Sequence, residues 1–172
     1  MNHTEEKRKE DWIDRFSYQV DRLARFLVAA MMAVMSAVVL FGVFNRFIFK
    51  IPISWTEEIA KYLLIWISMI GSSIAVRIGA HVGVGLIVTK LKESPRNIVS
   101  WVNQLIIVGF VVVLICLGMQ VGLKQLHTFG YSTRIPMFWP YLAIPVGGFM
   151  ILIQLLYILK MLFKKQSPPL GY

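Results

Sequence analysis

Residues 97–123 read NIVSWVNQLIIVGFVVVLICLGMQVGL, 27 consecutive positions without a charge between Arg96 and Lys124. A helix crosses the roughly 30 Å of bilayer hydrocarbon with about 20 apolar residues, so this stretch can span a membrane with length left over for tilt. Two further stretches match it: 20 uncharged residues lie between Arg25 and Arg46, and 25 between Arg134 and Lys160. Between Lys61 and Arg77 there are only 15. That segment spans if residues 56–61 form its first turns and the Lys61 ammonium snorkels to the interface. The pattern predicts an all-α integral membrane protein with four transmembrane helices, at about 26–45, 56–77, 97–122 and 137–160.

The composition agrees with the spans. Hydrophobic residues make up 57% of the 172-residue chain, and the charges collect in short clusters between apolar runs. The formal charge of +9 comes from 18 Lys+Arg against 9 Asp+Glu. Because those basic residues flank membrane segments, anionic lipid head groups are the expected partner; no nucleic-acid-binding motif is present. The one cysteine, Cys116, lies within an apolar run and reads as a packing residue. Lys7, Arg8 and Lys9 precede the first apolar run as in a signal peptide, but the run is too long and no small-x-small cleavage site ends it. An uncleaved first helix is expected.

Boundary residues refine the reading. Ser54-Trp55-Thr56-Glu57 has the form of a capping box, with Ser54 as N-cap and Glu57 at N3. Ser94-Pro95 opens the third helix. Pro136 and Pro140 bracket the start of the fourth, and Pro145 is expected to kink it. Trp12, Ile13, Phe16, Val20 and Leu23 recur at helical spacing, with Asp14, Arg15, Asp21 and Arg22 between them. This predicts an amphipathic helix lying on the cytoplasmic face. Residues 1–25 then form a cytoplasmic N-terminus, 26–162 the transmembrane domain and 163–172 a cytoplasmic tail.

Orientation follows from the basic residues. Thirteen fall in the N-terminal segment, the loop after the second span and the tail; five (Arg46, Lys50, Lys61, Lys124, Arg134) fall on the other side. Both termini are therefore expected in the cytoplasm, with the loops near 46–55 and 124–137 in the periplasm.

Ionisable groups inside a span are candidates for function, and this chain has almost none. All nine carboxylates are expected at interfaces or outside, and His3, His81 and His127 lie outside the span cores. That pattern disfavours a proton-coupled exporter, a b-type haem carrier and a metal or hydrolase centre. Asn103, Gln104, Gln120 and Gln154 read as interhelical hydrogen bonders. Small residues repeat every four positions at Ala29, Ala33 and Ala37, at Ser68 and Ser72 or Gly71 and Ala75, and at Gly118 and Gly122, spacing that lets helix backbones approach closely. Glu57 and Lys61 have the spacing of a helical ion pair.

The strings Asn45-Arg46-Phe47, Ser54-Trp55-Thr56-Glu57-Glu58 and Arg77-Ile78-Gly79-Ala80-His81 resemble the signature of the small permease subunits of tripartite ATP-independent periplasmic (TRAP) transporters. The segment from Ile135-Pro136-Met137 through Trp139 and Tyr141 to Pro145-Val146-Gly147-Gly148 is similar to that family's last helix. The likeness covers about residues 20–162. Gly85 stands where family members often carry an acid after the histidine, so no role of that acid carries over.

The resemblance implies a bacterial inner-membrane scaffold that packs against a large permease subunit. That partner would move an organic acid of the sialic acid or C4-dicarboxylate type, driven by sodium bound to the partner. A periplasmic substrate-binding protein would dock transiently at the periplasmic loops. No cofactor is expected on this chain, and no enzyme activity. Arg46, Trp55, Glu57, Glu58, Lys61, Arg77, His81, Pro136 and Trp139 are the candidates for partner contact or for anchoring helix depth. A competing reading is a stand-alone homodimeric transporter, which would need Gln104 or Gln154 as a binding group in mid-membrane.

Overall fold

The computed structural model describes residues 3–51, 53–78 and 93–163, all in helices and their connections apart from one isolated β-bridge. The helices are α1 (His3–Phe47), α2 (Ser54–Arg77), α3 (Glu93–Lys124), the single turn α4 (Phe138–Tyr141) and α5 (Ala143–Phe163). Four stretches are long and apolar enough to cross a membrane: Arg15–Phe47, Ser54–Arg77, Val102–Lys124 and Phe138–Leu159.

These spans do not close into a bundle around one axis. Among the described residues α1 packs mainly on α2, α2 on α5, and α5 on α3, with a smaller meeting of α1 and α5. The order in space is therefore α1, α2, α5, α3, with α2 and α5 in the middle. Burial follows that order: 39% of the most apolar window of the last span is buried, against none in that of the first. The small apolar core centres on α5, where Ile151 and Leu155 meet Val76 of α2 and Val111 of α3.

Glycines set the close crossings. A Cβ on Gly147 would lie 2.6 Å from the Met69 Cβ, so α5 approaches α2 at a distance only glycine permits. Gly118 likewise faces Ile144, where an added Cβ would come within 2.5 Å. The small-residue stripes thus divide. Gly118 and Gly122 are buried inside the subunit, whereas Ala29, Ala33 and Ala37 are all exposed on α1.

Three expectations need correction. Ser54 is already the first helical residue of α2; Ile53 is the N-cap and no side chain caps the turn. In place of a capping box, the Thr56 hydroxyl donates to the Ile53 carbonyl at 2.8 Å. Proline does not merely bend the last helix. Pro145 has no N–H for the Tyr141 carbonyl, and the helix is interrupted at Leu142 before it resumes as α5.

The third correction concerns the N-terminal amphipathic segment. It is continuous with the first span in α1, without a break near residue 25. One narrow face of it meets the protein: Ser17, Asp21 and Ala24 are buried, while Phe16, Tyr18, Leu23 and Phe26 are exposed together with Arg15, Gln19, Arg22 and Arg25.

Candidate functional site

Two polar centres stand at opposite ends of the spans. The first is built where α1, α2 and α5 meet. The Ser17 hydroxyl donates to Gln154 Oε1 at 2.7 Å, and Gln154 Nε2 returns a 3.4 Å bond to the Ser17 carbonyl. Arg77, the last residue of α2, donates through Nη1 to the Ser17 carbonyl and, at 3.0 Å, to the Ser17 hydroxyl. Its Nε lies 3.9 Å from Asp21 Oδ2, which also takes a 2.9 Å bond from Arg25. The Arg77 guanidinium sits 5.7 Å from the Tyr18 ring centroid and 5.4 Å from that of Tyr157. Cation–π attraction at this range adds to the ion pair. Asp21 Oδ1 is buried without a hydrogen-bond partner. Next to this centre Gln104 of α3 donates to the Leu155 carbonyl at 3.4 Å.

The second centre fixes the connection between α3 and α4. That connection doubles back as a short hairpin. Phe129 bridges Pro136, the Gly130 N–H bonds the Ile135 carbonyl at 2.8 Å, and the Met137 N–H bonds the Thr128 carbonyl at 2.8 Å. Arg134 turns the chain with φ of 56°. Glu58, in the second turn of α2, reaches into the hairpin. Its Oε2 accepts the backbone N–H groups of Ser132 (2.9 Å) and Thr133 (2.8 Å), and its Oε1 accepts the Tyr62 hydroxyl. Gly130 is pressed so closely on Glu58 Oε1 that any side chain there would displace the carboxylate. At the hairpin tip Tyr131 is 96% exposed.

The other expected site residues surround this second end. Trp55 packs its ring 6.0 Å from that of Phe41 on α1 yet remains partly exposed. Arg46, Glu57, Lys61 and Trp139 are exposed, and Pro136 is half-buried beside the hairpin bridge. Among the described residues both ion pairs involve Asp21, so the expected Glu57–Lys61 pair is absent. His81 lies outside the described residues.

Residues 35–165 match the family model described as "Tripartite ATP-independent periplasmic transporters, DctQ component". The chain belongs to this family. It is similar to the sialic acid TRAP transporter small permease protein SiaQ of Vibrio cholerae, with 26% identity over 141 residues that cover 79% of each chain. It is 28% identical over 100 residues to the C4-dicarboxylate TRAP transporter small permease protein DctQ of Rhodobacter capsulatus, 57% of this chain and 44% of that one. A third relative, the sialic acid TRAP transporter permease protein SiaT of Haemophilus influenzae, is 22% identical over 135 residues. These cover 78% of this chain but 22% of that longer one. With its four span-length helices, this TRAP small permease is a multi-pass membrane protein.

Of the residues expected at a partner contact, Glu58 and Arg77 make side-chain hydrogen bonds within the chain. Gln104 and Gln154 do bond between helices, as expected. Asp21 and Ser17 gain a role that residue order does not announce. The helical pattern places Asp21 among the water-facing charges of an amphipathic helix, whereas in the fold it is 6% exposed. The available signal was the run Ser17, Asp21, Ala24, which places small or polar residues on one helical face. Asp21 also leads Arg25 by four residues, an i,i+4 pair.

Proposed function

We propose that this small permease is a static scaffold for a large TRAP permease subunit, in sodium-driven uptake of an organic acid across the bacterial inner membrane. The observation that carries the reading is the open row of helices: the first span is unburied along its most apolar stretch, and the two polar centres lie at opposite ends of the spans. Such a wall has apolar area for a neighbour to cover. In SiaT the matching segment is about a fifth of one longer permease protein, which fits a small subunit held against a larger one.

The substrate class on this reading is a carboxylate of the sialic acid or C4-dicarboxylate type, the acids named in the relatives' descriptions. Sodium binds to the large subunit, and this chain carries no cofactor. Both termini face the cytoplasm, where the basic N-terminal segment meets anionic lipid. The Glu58-braced hairpin and the 46–55 connection then face the periplasm and the soluble substrate-binding protein. Exposed Trp55, Lys61 and Trp139 are the leading contacts for the large subunit at that end.

Uptake by the reconstituted system tests the proposal. Omitting this chain should abolish uptake; transport at full rate by the large subunit alone would overturn the scaffold role. Solute accumulation by this chain alone in liposomes would support the homodimeric transporter instead. Replacing Trp55 and Trp139 together by alanine should reduce co-purification of the large subunit, and an unchanged yield would remove those residues from the interface.

A further inference from the structure

The first and second spans pinch together where Gly42 meets Thr56: a Cβ on Gly42 would stand 2.7 Å from the threonine hydroxyl oxygen. Beside this pinch they part, leaving a cavity of about 240 Å³. Its walls are apolar on one side, with Val39, Val43 and Ile53, while Arg46, Ser54 and Glu57 bring polar groups to it. Val39, Gly42, Val43 and Arg46 lie at i, i+3, i+4 and i+7, so one face of α1 runs from apolar to cationic along the cavity.

Two features make this more than a gap between helices. Arg46 and Glu57 carry opposite charges, both are exposed, and neither forms an ion pair within 4.0 Å among the described residues. The Thr56 hydroxyl is already committed to the Ile53 carbonyl, which leaves the Ser54 hydroxyl as the uncommitted neutral group on the lining. A site that offers one cation, one anion and an apolar wall selects a ligand with the same three parts. A free anion would face the Glu57 carboxylate, and a free cation would face the Arg46 guanidinium. A cavity of about 240 Å³ has room for a small polar head group. It also lies at the end of two spans, at the level where polar head groups meet hydrocarbon.

We infer that this cavity binds the head group of a zwitterionic phospholipid that carries a primary ammonium, of the phosphatidylethanolamine class. The phosphate pairs with Arg46, the ammonium donates to Glu57, and the upper acyl chain lies along Val39 and Val43. Arginine suits the first role because its planar fork engages two phosphate oxygens. The ammonium requirement separates this ligand from phosphatidylcholine, whose quaternary nitrogen has no N–H to donate, and from phosphatidylglycerol, which lacks the cation. The site is distinct from the basic cytoplasmic segments expected to attract anionic lipid, and it stands whether or not the transport reading does.

The test uses the full chain, extracted from membranes in mild detergent with whatever co-purifies, and native mass spectrometry after exchange against equal amounts of phosphatidylethanolamine, phosphatidylcholine and phosphatidylglycerol. The wild type should retain phosphatidylethanolamine several-fold over the other two. Arg46→Gln should lose retention of all three. Glu57→Gln should lose only the preference for ethanolamine over choline. Val43→Trp, which fills the cavity and leaves both charges, should expel the lipid, while Lys124→Gln on α3 should change nothing; circular dichroism checks that each variant is folded. Equal retention of the three lipids by the wild type would overturn the proposal, as would stronger retention of phosphatidylglycerol. So would an ethanolamine preference that survives both Glu57→Gln and Val43→Trp, or occupation of the cavity by a protein partner with no lipid retained.

Discussion

Two carboxylates, Asp21 and Glu58, hold the two ends of this small permease by different means. Glu58 is met by backbone N–H groups on one oxygen and a tyrosine hydroxyl on the other, so both oxygens are satisfied by groups fixed in place by the hairpin and by α2 itself. Asp21 is met by two arginines, one at 2.9 Å and one at 3.9 Å, on the same oxygen, while its other oxygen is buried without a partner. Glu58 ties one connecting hairpin to the start of α2; the Asp21 centre joins three long helices, since Ser17 of α1 bonds both Arg77 of α2 and Gln154 of α5. The contrast teaches that the well-satisfied carboxylate should matter locally and the imperfect one globally. Breaking a buried charge cluster strands its members, whereas freeing a loop exposes its amides to water.

The largest effect should come from Arg77→Ala. It removes the bonds to Ser17, the ion pair with Asp21 and the contacts with both tyrosine rings, at a cost of about 3 kcal/mol, the low end for a broken buried pair because Arg25 still holds Asp21. Thermal unfolding of the detergent-solubilised chain should show a clear fall in midpoint, and a midpoint equal to the wild type would dissolve the distinction drawn above. Glu58→Ala comes next, with a local signature: the Ser132 and Thr133 amides should exchange with solvent several-fold faster, while the global midpoint moves less than for Arg77→Ala. Gly130→Ala should reproduce that exchange pattern, because its side chain would occupy the place of Glu58 Oε1.

Ser17→Ala should cost about 1 kcal/mol, the usual contribution of a hydrogen bond. Combined with Gln154→Ala it should cost less than the sum of the two, since the pair shares its bonds. Additive losses would mean that serine and glutamine act independently. The smallest effect belongs to Tyr131→Ala, which should leave both the midpoint and the hairpin amides unchanged, because the ring at the tip touches almost nothing.

Much of this was readable from residue order. Three spans follow from the lengths of uncharged runs and the second from a shorter run extended through Lys61, and the interhelical roles of Gln104 and Gln154 follow from the cost of leaving an amide unpaired in an apolar setting. Less legible was the face that each segment presents. The periodicity around Phe16, Val20 and Leu23 shows that the helix has two sides, but the same pattern suits a helix lying on a membrane and one standing in it with a narrow face toward protein. Likewise "SWTEE" carries the symbols of a capping box, yet one residue of shift in the helix start makes Ile53 the cap and sends Thr56 to its carbonyl.

Sequence alone determined that this is a helical membrane protein of four crossings. Length and polarity along one chain set that outcome wherever water and hydrocarbon are the two solvents available. Tertiary structure decided the order α1, α2, α5, α3, the burial of Asp21 and the grip of Glu58 on a hairpin 74 residues away. Those depend on which side chains from distant segments reach the same place, and local periodicity does not encode such meetings.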